Sequence, residues 1–248
     1  MIILKSPDEI KRMAESCRIV AEVLEEVKKI VAPGITTKEL DRYAETYINS
    51  KNAVPAFKGY RGYPASMCTS INEQVVHGIP SSVKVKNGDV ISLDIGVYYK
   101  GFYGDAAVTL PVGKISGDAE KLLAVTEKAL KDGVAKSVAG SRLSDISSVI
   151  QTCVEAEDFS VVRNFVGHGI GRELHEEPQI PNYGRPGEGP ELREGMTLAI
   201  EPMVNAGGWE VDILNDGWTA VTKDSSLSAH FEHTIAVTKN GPAVLTKI

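Results

Sequence analysis

The sequence is short of cysteine, of histidine and of any surplus of positive charge, and it has no long apolar run. Each shortage removes a class of protein. Its three cysteines, Cys17, Cys68 and Cys153, are odd in number and widely spaced, so they fit neither a disulfide framework nor a zinc ribbon. Cys17 and Cys153 fall on apolar helix faces and are expected in the core. No apolar run approaches the ~18 residues that a membrane-spanning helix needs. Met1-Ile2-Ile3-Leu4-Lys5-Ser6-Pro7 is too short and too soon broken for a secretory signal, so a cytoplasmic location is expected. The net charge of −6 and the lack of a basic stripe argue against nucleic acid as the main partner. No Ser/Pro/Gly-rich linker or low-complexity segment divides the 248 residues, which suffice for an ample core in one domain or two small ones.

What the sequence does contain is acids in the wrong surroundings. Asp94 interrupts Val90-Ile91-Ser92-Leu93 and Ile95, Glu201 closes Met196-Thr197-Leu198-Ala199-Ile200, and Glu232 sits between Ala229-His230-Phe231 and Thr234-Ile235-Ala236-Val237. Carboxylates are almost never fully buried unless paired, and no Lys or Arg adjoins any of these. A divalent metal would neutralise them. Val90 to Pro111 reads as two strands around Tyr99-Lys100-Gly101, and any two-residue turn there puts Asp94 and Asp105 on one face. A turn centred between Tyr99 and Lys100 sets them directly opposite each other. Two such charges ~5 Å apart at an effective dielectric of ~20 repel by roughly 3 kcal/mol, and a cation between them reverses the sign. A three-residue turn would instead separate the faces and leave both solvated.

The chain also repeats itself weakly. Lys86-Asn87-Gly88-Asp89-Val90-Ile91-Ser92-Leu93-Asp94 matches Arg193-Glu194-Gly195-Met196-Thr197-Leu198-Ala199-Ile200-Glu201, each a basic residue, a Gly and a strand ending on an acid. Val76-His77-Gly78-Ile79 similarly matches Gly167-His168-Gly169-Ile170. The period is too long for a solenoid, so duplication within one domain over 1–248, with halves of about 1–115 and 116–248 related by a pseudo-two-fold axis, is expected. Chance similarity is the alternative, since a Gly followed by an apolar run and an acid is common.

Ser6-Pro7-Asp8-Glu9 is a capping box with Pro at the first helical position. It opens a helix with Ile10, Met13, Ala14, Cys17, Val20, Ala21, Leu24 and Val27 on its apolar face, ended by Pro33-Gly34. Thr36-Thr37-Lys38-Glu39 caps a second helix bearing Leu40, Tyr43, Ala44, Tyr47 and Ile48. A third is expected from Asp118 to about Ser137 and a fourth from about Ser144 to Glu155. Strands follow from Val161, with a long Gly/Pro loop at 176–190. Helix pairs ahead of antiparallel strands make an α+β arrangement.

Gly167-His168-Gly169-Ile170-Gly171 looks like a phosphate loop but lacks the following long helix, and His175-Glu176-Glu177-Pro178 lacks the second His of a zincin helix. Of the five histidines, His77 stands in a Gly-flanked turn, and His168 and His175 share one loop. A lone His is more often structural than a ligand, but three beside Gly turns weaken that reading. In an extended strand His230 shares the face of Glu232 and His233 points away; both read as support or pocket wall.

In type, order and spacing, Asp94, Asp105, His168, Glu201 and Glu232, with His77 and His175, resemble the signature of the methionine aminopeptidases. Gly167-His168-Gly169-Ile170-Gly171-Arg172-Glu173-Leu174-His175-Glu176 and Leu198-Ala199-Ile200-Glu201-Pro202 carry the likeness, which spans essentially the whole chain. It is closest to the bacterial type I form, without the zinc-finger extension or helical insertion of type II. The resemblance implies the pita-bread fold, an antiparallel sheet covered by two helix pairs with internal pseudo-two-fold symmetry. It also implies two divalent ions, with Asp94 chelating one, Asp105 and Glu232 bridging both, and His168 and Glu201 completing the other site. Such a donor set suits Mn²⁺, Fe²⁺ or Co²⁺, with Zn²⁺ possible.

The activity so implied is metal-activated water attack on the first peptide bond, which removes the N-terminal methionine of nascent proteins and peptides when the second residue is small. Glu201 would shuttle the proton, His175 would donate to the oxyanion, and His77 would hold the amide. Phe57, Tyr60, Tyr63, Cys68, Leu174 and Trp218 would line the methionine pocket. Asn72 and Ser228 match positions that help hold a monovalent cation. A monomer with transient ribosome contact is expected. Phe57, Leu174 and Gly96 depart from residues common in the family (Cys, Phe and Thr), which puts pocket size in doubt. Prolidases and X-Pro aminopeptidases share the ligands but usually carry a further N-terminal domain. Non-enzymatic pita-bread proteins typically lack several ligands that are all present here.

Overall fold

Four helices form where caps and apolar faces predict them. In the computed structural model, which describes residues 1–247, α1 spans Pro7–Ile30. Ile248, the end of the expected second half, lies outside the described residues. The Ser6 hydroxyl accepts from the Glu9 amide at 3.3 Å, and the Glu9 carboxylate accepts from the Ser6 amide at 2.8 Å, a reciprocal cap. Met13, Cys17, Val20, Ala21, Leu24 and Val27 are buried, whereas Ile10 and Ala14 lie only at the edge. Thr36 and Glu39 cap α2 (Thr37–Ser50) in the same way, burying Leu40, Ala44 and Ile48 but leaving Tyr43 exposed. α3 (Gly117–Lys136) and α4 (Leu143–Glu155) each start one residue before the expected position.

Each helix pair packs against its own antiparallel sheet. Residues of α1 and α2 share a core with Ile91, Leu93, Ile95 and Val97 of the strand Val90–Tyr99. Residues of α3 and α4 share another with Leu198, Ile200, Ile235 and Val237. The first sheet joins Val54–Pro55, Cys68–Ile71 and Phe102–Pro111 to the strand Val90–Tyr99, and the second runs Gly241–Val244, His233–Thr238, Thr197–Ile200, Gly167–Gly169, Glu176–Ile180. That last strand occupies the start of the expected 176–190 loop. Pro178 is tolerated there because the strand is an edge, where a missing N–H costs no ladder bond.

The hairpin turn contains two residues, Lys100 and Gly101, both at positive φ (49° and 88°), the mirror-image geometry that suits right-twisted strands. Asp94 pairs with Ala107, and Asp105 pairs with Gly96. The two acids therefore share a face but are diagonal neighbours, not opposite ones. The turn lies one residue later than the central placement because glycine, at 101, takes its second left-handed position. A three-residue turn is excluded.

Candidate metal centre

The two sheets meet through the strand Phe102–Pro111. Ala107 and Glu232 exchange backbone hydrogen bonds of 2.9 and 3.4 Å. The Thr234 hydroxyl donates to the Asp105 carbonyl at 2.7 Å, and the Thr109 hydroxyl donates to the His230 carbonyl at 2.9 Å. This docking sets Asp105 beside Glu232. His168 pairs with Ala199 across the second sheet. Its Nδ1 lies 2.9 Å from the Gly169 carbonyl, which fixes the proton on Nδ1 and leaves the Nε2 lone pair 3.4 Å from Glu201 Oε1. Asp105, His168 and Glu232, all buried, each place one donor atom within 4.8 Å of the others. Asp94 and Glu201 face the same cavity of about 200 Å³. His168 lies on a strand, not in one loop with His175 as its sequence context suggests.

These donors fit a divalent cation. Asp94 Oδ1, Asp105 Oδ1 and Glu232 Oε1 are buried without any hydrogen-bond partner, although buried polar atoms are nearly always satisfied. Among the described residues no Lys or Arg forms an ion pair with them. Four carboxylates with one imidazole suit a metal such as Mn²⁺, Fe²⁺ or Co²⁺.

The electrostatics record the same crowding. Burial pushes the Asp94 carboxyl up to about 7. Burial, then the Asp94 and Glu201 charges, raise Asp105 well above its usual range. Glu201 is raised by burial and Asp94, and Glu232 by burial, Asp105 and Glu201. Burial also lowers the imidazoles, His168 to about 4 and His175 and His230 to about 3. A carboxyl raised on folding loses stability as pH climbs from its unfolded value, 3.8 for Asp94, through its folded value of about 7. A lowered imidazole loses stability instead as pH falls below its unfolded 6.5. Above that pH only the carboxyls act. Chelator-stripped protein should therefore lose thermal stability from pH 6.5 upward, while Mn²⁺-loaded protein should not. Melting both forms across that range checks this; a gap between them that stays constant or narrows would contradict it.

Phe57, Tyr60, Tyr63, Cys68, His77, Leu174, His175 and Trp218 all line the cavity. His77 occupies a turn at φ 61° and meets Phe165 and Trp218 edge-on, at ring distances of 5.2 and 6.4 Å. His175 stacks on Tyr60 at 5.3 Å with its Nδ1 2.9 Å from the Tyr60 hydroxyl, and its ring lies 4.3 Å from that of His168. Cys68 pairs with Asp94 in the sheet.

Asn72 and Ser228 adjoin, the Ser228 amide donating to the Asn72 carbonyl at 2.9 Å, but neither lines the cavity. His230 does, with Nε2 3.8 Å from Glu201 and 4.0 Å from Glu232. His233 faces away and bonds Thr246 at 2.9 Å, so it supports the strand without forming this pocket's wall. Cys153 is half-buried beside Lys128, not in the core. Arg61, Val76, Phe165, Val166 and Met203 also line the cavity, and sequence reasoning missed them. Phe165 lies two residues before Gly167 and was within reach of it; Arg61 gives no signal, since its left-handed φ of 49° appears only in the fold.

The model of metallopeptidase family M24 matches residues 11–239. The chain belongs to this family. Methionine aminopeptidase 1 of Bacillus subtilis is 56% identical over 248 residues, covering 100% of both chains. The M24 fold is equally close: a crystal structure of methionine aminopeptidase from Thermotoga maritima matches over 100% of both chains with a TM-score of 0.98 and 50% identity. The prolidase from Pyrococcus horikoshii is more distant, with a TM-score of 0.79 and 25% identity, and this chain covers 64% of it. Four helices over antiparallel sheets are thus the pita-bread fold of M24 peptidases.

Proposed function

We infer that this chain removes the N-terminal methionine from peptides and nascent proteins, preferentially when the second residue is small. The observation that carries this reading is one cavity lined both by the acid-rich cluster of Asp105, His168 and Glu232 and by the touching rings of Tyr63 and Trp218. The aromatic lining suits a flexible thioether, which gains from sulfur–ring contacts, and the acids attract a free α-amine.

Asp94, Asp105, His168, Glu201 and Glu232 would hold two divalent ions, Mn²⁺, Fe²⁺ or Co²⁺ in preference to Zn²⁺. When bound, the ions supply Lewis acidity that polarises the scissile carbonyl and lowers the pKa of water. Glu201, its carboxylate kept ionised by the ions it would hold, would accept the proton of the attacking water and return it to the leaving amine. His175 is neutral, and a Tyr60 hydroxyl donating to Nδ1 keeps its proton on Nε2 for the developing oxyanion. Burial holds His77 neutral as well, and it binds the amide on the leaving side.

We read the chain as one catalytic domain of two duplicated halves, 1–115 and 116–248, acting as a cytoplasmic monomer with transient ribosome contact. No helix among the described residues is long and apolar enough to cross a membrane. Asn72 and Ser228 are read as flanking a monovalent cation.

Two departures from the family pattern are linked. A Cβ at Gly96 would meet the Phe57 ring at 2.5 Å, so Phe57 fills the space that a larger residue 96 would need. Gly96→Ala should swing that ring into the pocket and raise KM for methionyl peptides with little change in Tm. Steady-state kinetics with melting curves check this, and an unchanged KM would count against it. Chelator-stripped protein titrated with Mn²⁺ and offered Met-Ala-Ser and Ala-Pro-Ser tests the function itself. Metal-dependent release of methionine from the first peptide alone is expected, whereas cleavage of the proline peptide would move the chain to the prolidase chemistry.

A further inference from the structure

Residues 1–6 precede α1, and their one cationic side chain, Lys5, does not reach solvent. The side chains of Lys5 and Glu176, 171 positions apart, are 1% and 5% exposed and form an ion pair. Lys5 is anchored by its own amide, which donates to the Gly195 carbonyl at 2.7 Å, and its ammonium also reaches the Ile3 carbonyl at 3.3 Å. The other oxygen of Glu176, Oε1, accepts from the backbone amides of Arg172 and Glu173 at 2.8 and 3.3 Å. A Cβ at Gly171 would fall 2.7 Å from Lys5 Nζ and 2.8 Å from Glu176 Oε1, so the pair packs directly against the backbone of the turn. That turn presents Leu174 and His175 to the cavity. Among the described residues the one hydrogen bond of the His175 side chain is to the Tyr60 hydroxyl, so the turn's backbone, together with the stack on Tyr60, sets where its ring stands. Outside the pair, Arg172 meets Glu9 of the α1 cap at 2.8 Å.

Two desolvated charges are a poor device for stability, because an apolar pair of similar volume often does as well or better. A fixed geometry explains them better. We propose that Lys5 and Glu176 are positioning residues, an ion-pair clamp by which the arm before α1 holds the 171–176 turn and thereby sets His175 for the transition state. This rests on the reading of His175 as an oxyanion donor.

The test uses the full-length Mn²⁺-loaded protein with Met-Ala-Ser. Lys5→Met and Glu176→Gln each leave one buried charge unpaired and should lose stability. The double variant removes both charges and keeps an amide oxygen for the Arg172 and Glu173 N–H groups, so it should fold and carry the test. A misplaced catalytic group can cost about 10²-fold. The double variant should therefore lose ~10- to ~100-fold in kcat, with KM and Mn²⁺ affinity unchanged. Introduced into His175→Ala, the same pair of changes should cost nothing further, since effects that run through one residue are not additive. A folded double variant with wild-type kcat would overturn the clamp, and so would an equal loss with and without His175. A wild-type protein that releases no methionine would overturn the functional reading itself, an outcome distinct from both.

Discussion

Glu201→Gln is expected to hydrolyse Met-Ala-Ser about 10²–10⁴-fold more slowly, the usual contribution of a positioned proton carrier, while its chelator-stripped form melts at a higher temperature than the stripped wild type. Both effects have one cause. Glu201 is buried beside like charges: the Asp94 charge raises its carboxyl, and its own charge raises the Asp105 and Glu232 carboxyls. Glutamine keeps the shape and removes the charge. Without metal, the three acids that remain no longer feel the Glu201 charge; in turnover, the group that moves the proton is gone. Single-substrate kinetics and calorimetry of the stripped proteins measure the two effects. A variant that keeps near-wild-type kcat, or one whose stripped form melts no higher, would count against the assignment.

His175→Ala separates catalysis from metal binding. His175 stands outside the three-residue donor cluster and is held by stacking on Tyr60. Its loss should therefore leave the fold and the metal content intact. Removing one donor to an oxyanion typically costs ~10²–10³ in kcat, and a loss of that size, with KM little changed, is expected. Metal analysis beside the kinetics decides the matter. A fall in bound metal would make His175 a ligand, and a change confined to KM would make it a pocket wall.

Local rules made much of this molecule legible. Capping boxes at Ser6 and Thr36 marked the starts of α1 and α2 because their hydrogen bonds span only three residues. Strand alternation put Asp94 and Asp105 on one face and turned His233 away from Glu232. What failed depended on partners distant in sequence or on backbone detail. The hairpin register followed the left-handed φ of Gly101, and so the two acids became diagonal. The strand Glu176–Ile180 was hidden by Pro178 and its acids, because an edge strand is recognisable only once its neighbour Gly167–Gly169 is in place. Lys5 carried no sign of its role, since Glu176 is its partner only in the fold. The four acids and the imidazole could be picked out individually, but not that Thr234 and Thr109 would pin one sheet to the other and bring Asp105 to Glu232.

The central claim is that these buried, unpartnered carboxylates exist to hold divalent metal. Crystals of the active protein grown with Mn²⁺ and measured at the manganese absorption edge test it most directly. The account predicts anomalous density among Asp105, His168 and Glu232, with Asp94 and Glu201 completing the coordination. Active crystals with manganese elsewhere, or with none in this cluster, would contradict it.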